Sequence, residues 1–335
     1  MEYRRLGNAG IKVSRLCLGC MDFPTRLDEA ESRGVLEEAM AAGINFLDTA
    51  DAYERGQGEL SLGKIIKGHR DDLVIATKFW VKMYDRVNGR GCSRTHIINA
   101  VEGSLRRLDT DFIDLIALHH PDVDTPVEET ISTLDNLIRQ GKIRYYGVSN
   151  HYAWQTAHML GVSALHGWEP PVSIQCRYNI MDRPIENEIV PFAERFNMAM
   201  TTYGPLDWGV LTGKYQRGAQ IPAGDRISRF GKRYSDAMLT DETFDILDVL
   251  RGIADRNGIT MPQLAVRWVL SKPYVTSVII GGSKPEHFSQ VYDACELALD
   301  QADVEKIDEL TMGRRFKTFE NQPVAAGAPL AHNRM

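Results

Sequence analysis

The chain has 335 residues, 43% apolar and 25% charged, with a formal net charge of −6. This is the composition of a globular protein with a large core, and the acidic balance excludes a dedicated nucleic-acid surface, which needs a basic excess. No window approaches the roughly 18 apolar residues of a membrane span, and the start, MEYRRLG, holds no apolar segment of a secretory signal, so a cytoplasmic protein with no membrane partner is expected.

Residues 3–14 (YRRLGNAGIKVS) carry two short runs around Asn8-Ala9-Gly10, the pattern of a hairpin. A first core strand is predicted over 15–18, stopped by Gly19. It includes the start of a C-x-x-C, Cys17 to Cys20. The five cysteines are an odd number and no second pair completes a zinc site. A redox motif would need a helix to begin at Cys17. RLCLGC reads as strand and turn, so Cys17 is expected as a buried strand residue in a reducing compartment. Asp28 can cap a helix over 28–42, with Glu29 and Glu31 in its first turn and Gly43 stopping it.

The pattern then repeats. Strand 44–47 leads to helix 59–66. Strand 73–77 leads through a long loop to a helix opened by Ser93 and ending at Leu108. Strand 112–118 leads to a helix over 127–140, capped by Thr125 with Pro126 at its first position and ended by Gly141. Strand 143–148 leads to helix 152–165, and strand 172–175 to helix 186–196. Strand 198–202 precedes a long polar insertion, 205–236, and helices near 241–257 and 261–271. A last strand, 277–280, precedes a helix over 285–297.

Short strands that are apolar on both faces, each followed by a helix, predict a parallel sheet covered by helices. Eight such units fit an α/β protein built as a closed (β/α)8 TIM barrel, for which about 250 residues is typical. The N-terminal β-hairpin and extra C-terminal helices are additions to it. An open doubly wound sheet is the alternative, weakened by the lack of a G-x-G-x-x-G after the first strand. One barrel domain is expected over 1–320. Residues 321–335 (NQPVAAGAPLAHNRM) read as a flexible tail.

In such a barrel the active site lies at the carboxyl ends of the strands. The polar residues there are Asp48, Lys78, His119 and His120, Ser149 and Asn150, Gln175, and Tyr203. Each alone has an ordinary reading: a strand-end lysine pairs with a carboxylate, a strand-end histidine is a hydrogen-bonded rim residue, and Asn150 caps the next helix. Asp, Lys and His on successive strand ends, with Tyr53 on the loop five residues beyond Asp48, point instead to one constellation.

The stretches that carry a resemblance are YRRLGNAGIKVSRLCLG, GINFLDTADAYERGQGE, IATK, SLRRLDTDFIDLIALHHPD, EETISTLDNLIRQGKIRYYGVSN, IQCRYNIMDR, YGPLDWGVLTGKY and VIIGGSKPEHF. Over nearly its whole length the chain resembles aldo-keto reductases. It is most similar to the branch of potassium-channel β-subunit-like and NDP-sugar reductases. The resemblance implies a catalytic tetrad of Asp48, Tyr53, Lys78 and His119. A free tyrosine, with a pKa near 10, is a poor acid at neutral pH. A nearby Lys78 ammonium is expected to lower that value, with Asp48 holding Lys78 charged. His119 would hydrogen-bond the substrate carbonyl. It is preferred to His120 because it stands two residues before Pro121-Asp122, and because successive strand residues point to opposite sides. No metal site is expected: adjacent strand histidines cannot both face one ion.

The resemblance also implies NADP(H) as cofactor, with NAD(H) the alternative. Ser149, Asn150 and Gln175 match the positions that hold the nicotinamide amide, and Tyr203 the aromatic that stacks on its ring. Gly19, Cys20 and Met21, and Gly204, Pro205 and Leu206, match positions near the ring and phosphates. Gly281, Gly282, Ser283, Lys284, His287 and Gln290 match the pyrophosphate and adenosine end, where a helix start favours anions and Lys284 can meet a 2′-phosphate. Lys214 and Arg226 lie in the insertion that closes over the cofactor. The branch commonly has Gln at position 287, Glu-Asn at 290–291, Thr at 20 and Ser at 204, so this chain departs from it there.

The function so implied is reversible hydride transfer between nicotinamide and an aldehyde, ketone, alcohol or sugar, with Tyr53 as general acid/base. The alternative is an NADP(H)-binding, redox-sensing auxiliary subunit with little turnover. Phe23, Tyr53, Trp80, His119, His120 and Trp208 are expected to wall the substrate pocket, beside a basic loop, 81–92 (VKMYDRVNGRGC). The partner is a small molecule, and a homo-oligomer is left open.

Overall fold

Tyr3–Arg5 (β1) and Lys12–Ser14 (β2) pair antiparallel in the computed structural model, which describes residues 1–221 and 224–316. The hairpin closes one end of a barrel. Its Leu6, Ala9 and Val13 pack with the inward residues Cys17, Phe46, Val74, Ala76, Leu115, Ala199 and Ile279. Gly7 (φ +61°) lets the turn approach the starts of two strands: a Cβ there would lie 2.5 Å from the Val172 carbonyl oxygen.

The barrel strands are Leu16–Gly19 (β3), Phe46–Asp48 (β4), Val74–Phe79 (β5), Ile113–Leu118 (β6), Ile143–Ser149 (β7), Ser173–Arg177 (β8), Ala199–Tyr203 (β9) and Ser277–Ile280 (β10). They are parallel and run in sequence order, and β10 pairs back to β3 with Ile279 opposite Cys17. The (β/α)8 barrel expected from the sequence is therefore the fold. Its strands lack a polar face because helices cover them outside and side chains fill them inside.

The helices are Glu29–Ala41 (α1), Gln57–Ile65 (α2), Arg94–Leu108 (α3), Val127–Arg139 (α4), Ala153–His166 (α5), Ile189–Phe196 (α6), Lys232–Met238 (α7), Asp241–Asn257 (α8), Met261–Ser271 (α9), Glu286–Ser289 (α10) and Gln301–Leu310 (α11). Asp28 caps α1 in a capping box with Glu31, both bonds being 2.9 Å. Gly63 brings α2 onto the end of α3, where a Cβ would sit 2.6 Å from the Arg107 carbonyl oxygen.

Two expectations are corrected. Thr125 does not cap α4; its hydroxyl donates to Asp122 (2.8 Å), and Pro126 itself precedes the helix. The helix expected over 285–297 is broken into α10 and a 3-10 turn, Tyr292–Cys295. Val291 leaves the helical region (φ −121°, ψ 2°), and Phe288, Val291 and Ala294 all reach the core. The insertion 205–236 is partly ordered into 3-10 turns and α7. Among the extra C-terminal helices, α11 buries Val304 and Ile307.

The tail expected over 321–335, and residues 317–320 of the expected domain, lie outside the described residues. Among the described residues no helix is long and apolar enough to cross a membrane. All five cysteines are free. Cys17 is a buried residue of β3, burial pushes its thiol and that of Cys20 up, and no metal-holding group of side chains occurs among the described residues.

Candidate active site

At the open end of the barrel Lys78, 1% exposed on β5, directs its ammonium at the end of β4. Its Nζ donates to Asp48 Oδ1 at 2.5 Å and to the Thr49 carbonyl at 2.8 Å, and lies 3.4 Å from the Tyr53 hydroxyl. The other Asp48 oxygen accepts from Gln175 Nε2 (2.9 Å), which reaches it across the barrel from β8. A buried carboxylate needs such partners, because neither charge is tolerated alone away from water.

Tyr53 opens the 3-10 turn Tyr53–Gly56, in which Glu54, Arg55 and Gly56 all have positive φ. Arg107 presses on this turn from α3: a Cβ on Gly56 would meet Arg107 Cδ at 2.7 Å. Arg107 Nε donates in turn to Glu59 (2.7 Å), whose other oxygen accepts from Thr77 (2.6 Å). This buried pair ties the tyrosine turn to the strand residue beside Lys78. Sequence reasoning missed it. The available signal was Glu59 on the same helical stripe as Leu62, Gly63 and Ile66.

Burial works to depress the Lys78 ammonium, but the Asp48 carboxylate and the Tyr53 phenol overturn that and hold it above the ordinary lysine value. The Tyr53 phenol was expected to fall below its usual value. Its net direction is upward: burial outweighs the opposing pull of Lys78, and Asp48 adds to the rise. Tyr53 is thus held as a neutral O–H donor. His119 is pushed well down, first by burial and then by Lys78 and His120, and stays neutral.

The two histidines are not on opposite sides. Both lie beyond Leu118, the last residue of β6, where strand alternation has ended, and their rings stack at 5.1 Å with 13° between planes. His119 stands edge-on to Tyr53 (6.0 Å), while His120 packs on Trp80 (5.1 Å). His119 Nδ1 and Trp80 Nε1 are buried without a hydrogen-bond partner. Phe23, expected as a pocket wall, is instead 0% exposed in the core against Phe288.

Asn150 (φ +59°) does not cap α5, whose N-cap is Tyr152. It clamps three strand ends: Nδ2 donates to the His119 carbonyl (3.0 Å) and Oδ1 accepts from the Tyr203 hydroxyl (2.8 Å). Of the three residues expected to hold a carboxamide, Asn150 and Gln175 therefore already bind site residues. Ser149 Oγ is buried with no partner. Gly19 fits tightly, since a Cβ would lie 2.8 Å from the Ile280 carbonyl oxygen, and the Cys20 N–H donates to the Asp48 carbonyl (2.8 Å).

The other expected cofactor residues line the opposite rim. Gly204 (φ +70°), Pro205 and Leu206 lead from β9 into the turn Asp207–Thr212. Lys214 pairs with Asp225 (2.7 Å). Arg226 lies over the Trp208 ring (4.6 Å), with Nη1 3.7 Å from Asp22 and Nη2 3.9 Å from Met21 Sδ, so the insertion folds back on the loop after β3. Beyond β10, Gly281 and Lys284 are exposed, and a Cβ on Gly282 would lie 2.4 Å from His287 Cβ. The Ser283 N–H donates to His287 Nδ1 and Gln290 Nε2 to the His287 carbonyl, both at 3.3 Å. Because α10 has only four residues, the helix dipole expected here is small, and Lys284 is the main positive charge of this corner.

Residues 15–311 match the sequence profile of the Aldo/keto reductase family. The chain belongs to that family. It is 34% identical over 327 residues to a "Probable voltage-gated potassium channel subunit beta" of Oryza sativa subsp. japonica, covering 95% of this chain and 99% of that one. It is 35% identical over 304 residues to a protein of the same description from Arabidopsis thaliana, covering 89% and 92%. A "Putative voltage-gated potassium channel subunit beta" of Schizosaccharomyces pombe is 35% identical over 322 residues, covering 92% and 93%.

Within this aldo/keto reductase barrel a second charged cluster also escaped sequence reasoning. Arg177, two residues after Gln175 and so on the same face of β8, binds Asp182 (2.9 Å) and Asp207 (2.5 Å). Burial, with Asp207 adding and Arg177 opposing, leaves the Asp182 carboxyl pushed up to about 7. The pair with Asp207 pins a corner in which Asp207, Trp208 and Gly209 all have positive φ (48°, 58° and 95°). Such a corner needs an anchor, because non-glycine residues there carry strain.

The reductase barrel should also be acid-sensitive. His151, buried beneath Ser149 with Nδ1 2.8 Å from that carbonyl, has its pKa lowered from 6.5 to about 4, chiefly by burial. Between these values the unfolded chain binds the extra proton and the folded one does not. Its contribution is complete above about pH 6.5 and is lost as pH falls through about 4, of order 3 kcal/mol. His119 acts in the same direction. Denaturant midpoints measured from pH 7 to pH 4 should fall, and a His151→Gln variant should flatten that slope.

Proposed function

We propose that the chain is an NADP(H)-dependent oxidoreductase acting reversibly on aldehydes or ketones, with Tyr53 as the acid in reduction and the base in oxidation. The observation that carries this is Lys78 Nζ held between Asp48 (2.5 Å) and the Tyr53 hydroxyl (3.4 Å). When bound, the nicotinamide supplies hydride to the carbonyl carbon. Tyr53, kept protonated by burial, donates its proton to the developing alkoxide. The buried Lys78 ammonium stabilises the phenolate left behind, and Asp48 keeps that ammonium charged and aimed. Neutral His119 orients the carbonyl oxygen by a hydrogen bond.

The cofactor fits the residues present. The orphaned Ser149 Oγ suits a carboxamide, Lys214 and Arg226 suit the phosphates, and the exposed Lys284 suits a 2′-phosphate, which favours NADP(H) over NAD(H). The test is absorbance at the reduced-nicotinamide band with NADPH and NADH in parallel, over a panel of aliphatic, aromatic and sugar aldehydes. Many turnovers, faster with NADPH, are expected.

The second reading, a nicotinamide-binding auxiliary subunit, draws on the potassium-channel descriptions of relatives that match most of the chain. Rapid mixing of cofactor-loaded protein with the same aldehydes separates the two. Oxidation that stops at one equivalent for every aldehyde supports the subunit and overturns the enzyme.

A further inference from the structure

The ring stack at the mouth does not end at His120. Trp80 is wedged between His120 (5.1 Å) and Arg90, whose guanidinium carbon lies 5.5 Å from the indole centroid. Trp80 holds this place at φ +129°, a value that bulky side chains rarely adopt. The loop that follows is a closed excursion: the Met83 N–H donates to the Gly89 carbonyl (3.0 Å), and the Gly91 N–H returns to the Trp80 carbonyl (2.8 Å). That return sets Arg90 beside the ring. A continuous column thus runs from Lys78 and Tyr53 through His119, His120 and Trp80 to an exposed guanidinium at the rim.

Arg90 has no carboxylate partner among the described residues; its contact is the Trp80 ring. The acid of that corner, Asp122, is already taken. Its Oδ2 accepts from the Cys92 N–H (2.5 Å) and the Thr125 hydroxyl (2.8 Å), and its Oδ1 from the Asp124 N–H (3.0 Å). Lys82, on the same loop, is by contrast neutralised by Asp85 (2.7 Å). The wall therefore offers an aromatic surface to a ring-shaped substrate and, at the end far from Tyr53, a fork of donors without a carboxylate partner that matches an anionic oxygen group.

We propose that Arg90 is a specificity-determining residue, and that the preferred substrates are flat carbonyl compounds bearing a carboxylate or phosphate at the end remote from the carbonyl. This names a substrate class for the site and rests on the reductase reading given above. The aromatic wall accepts the body of the substrate, and Arg90 binds its anionic end and so fixes which end meets Tyr53.

The test compares isosteric substrates that differ in charge: para-formylbenzoate against para-formylbenzamide, and a longer pair, (para-formylphenoxy)acetate against its amide. A phosphorylated benzaldehyde separates carboxylate from phosphate preference. In the wild type, kcat/KM should favour the anion of at least one pair about five- to tenfold through KM, the scale of one partly exposed charge-assisted hydrogen bond. The preference should shrink as salt is raised. Arg90→Gln should bring the ratio close to one, Arg90→Lys should keep part of it, and Arg86→Gln should keep all of it, since Arg86 stacks on Tyr84 instead.

Turnover of the amides with no preference for the anions, or a preference that survives Arg90→Gln, overturns the inference and leaves the reductase reading intact. Turnover of no aldehyde with either cofactor overturns the reductase reading. Calorimetric titration of the cofactor-loaded protein with the same pairs then decides the role of Arg90 by binding alone: equal affinity for anion and amide overturns it.

Discussion

Tyr53→Phe is expected to lower kcat by about 10²- to 10⁴-fold, the usual worth of a positioned general acid, with NADPH affinity unchanged. The substitution removes one oxygen and leaves the rest in place. The ring keeps its edge-on contact with His119 (6.0 Å), and Lys78 keeps Asp48 and the Thr49 carbonyl as hydrogen-bond acceptors. The loss therefore reports the proton donor and not the fold. The pH profile gives a second reading. Because the phenol is held above its ordinary value, carbonyl reduction by the wild type should persist to alkaline pH and then fall as Tyr53 ionises. Fluorescence titration with NADPH and steady-state rates with one good aldehyde suffice. Unchanged turnover in the variant would remove Tyr53 from the chemistry.

Lys78→Met is the second large effect, and it concerns stability as well as rate. It strips the ammonium from a carboxylate that is 4% exposed and leaves Asp48 with the Gln175 amide as its side-chain donor. Breaking a buried ion pair from one side typically costs about 3–5 kcal/mol. The double variant Lys78→Met, Asp48→Asn removes both charges and should recover most of that loss while remaining inactive. Urea midpoints of the two single variants and the double variant form a cycle. Simple additivity would mean that the two side chains do not depend on each other.

The barrel was readable because each strand is apolar on both faces and each is followed by a helix with a start or stop signal, as at Asp28 and Gly43. Asp48, Lys78 and His119 stood out as polar endings to those apolar runs. Other features turned on quantities that a sequence does not carry. The direction of the Tyr53 shift depends on how deeply the phenol is buried, and burial outweighs the lysine. The stacking of His119 on His120 depends on the chain bending after Leu118. The break in the expected 285–297 helix falls at Val291, and the spacing of Phe288, Val291 and Ala294 is equally that of one face of an unbroken helix. Glu59–Arg107 and Arg177–Asp207 join residues 48 and 30 positions apart, and only the packing of neighbouring β/α units brings them together.

The hydrogen bond from Gln175 to Asp48 has a further consequence. In an eight-strand ring ordered β3 to β10, β4 and β8 stand diametrically opposite, so this contact is a crossbar over the lumen. Below it the lumen is filled by apolar side chains down to the hairpin plug. A molecule entering the mouth can descend no further than the bar. Under the proposed function the depth at which a carbonyl would meet Tyr53 is set by the barrel, while width and length are left to the loops. Loop changes can then alter which molecules are admitted without resetting the reacting distance.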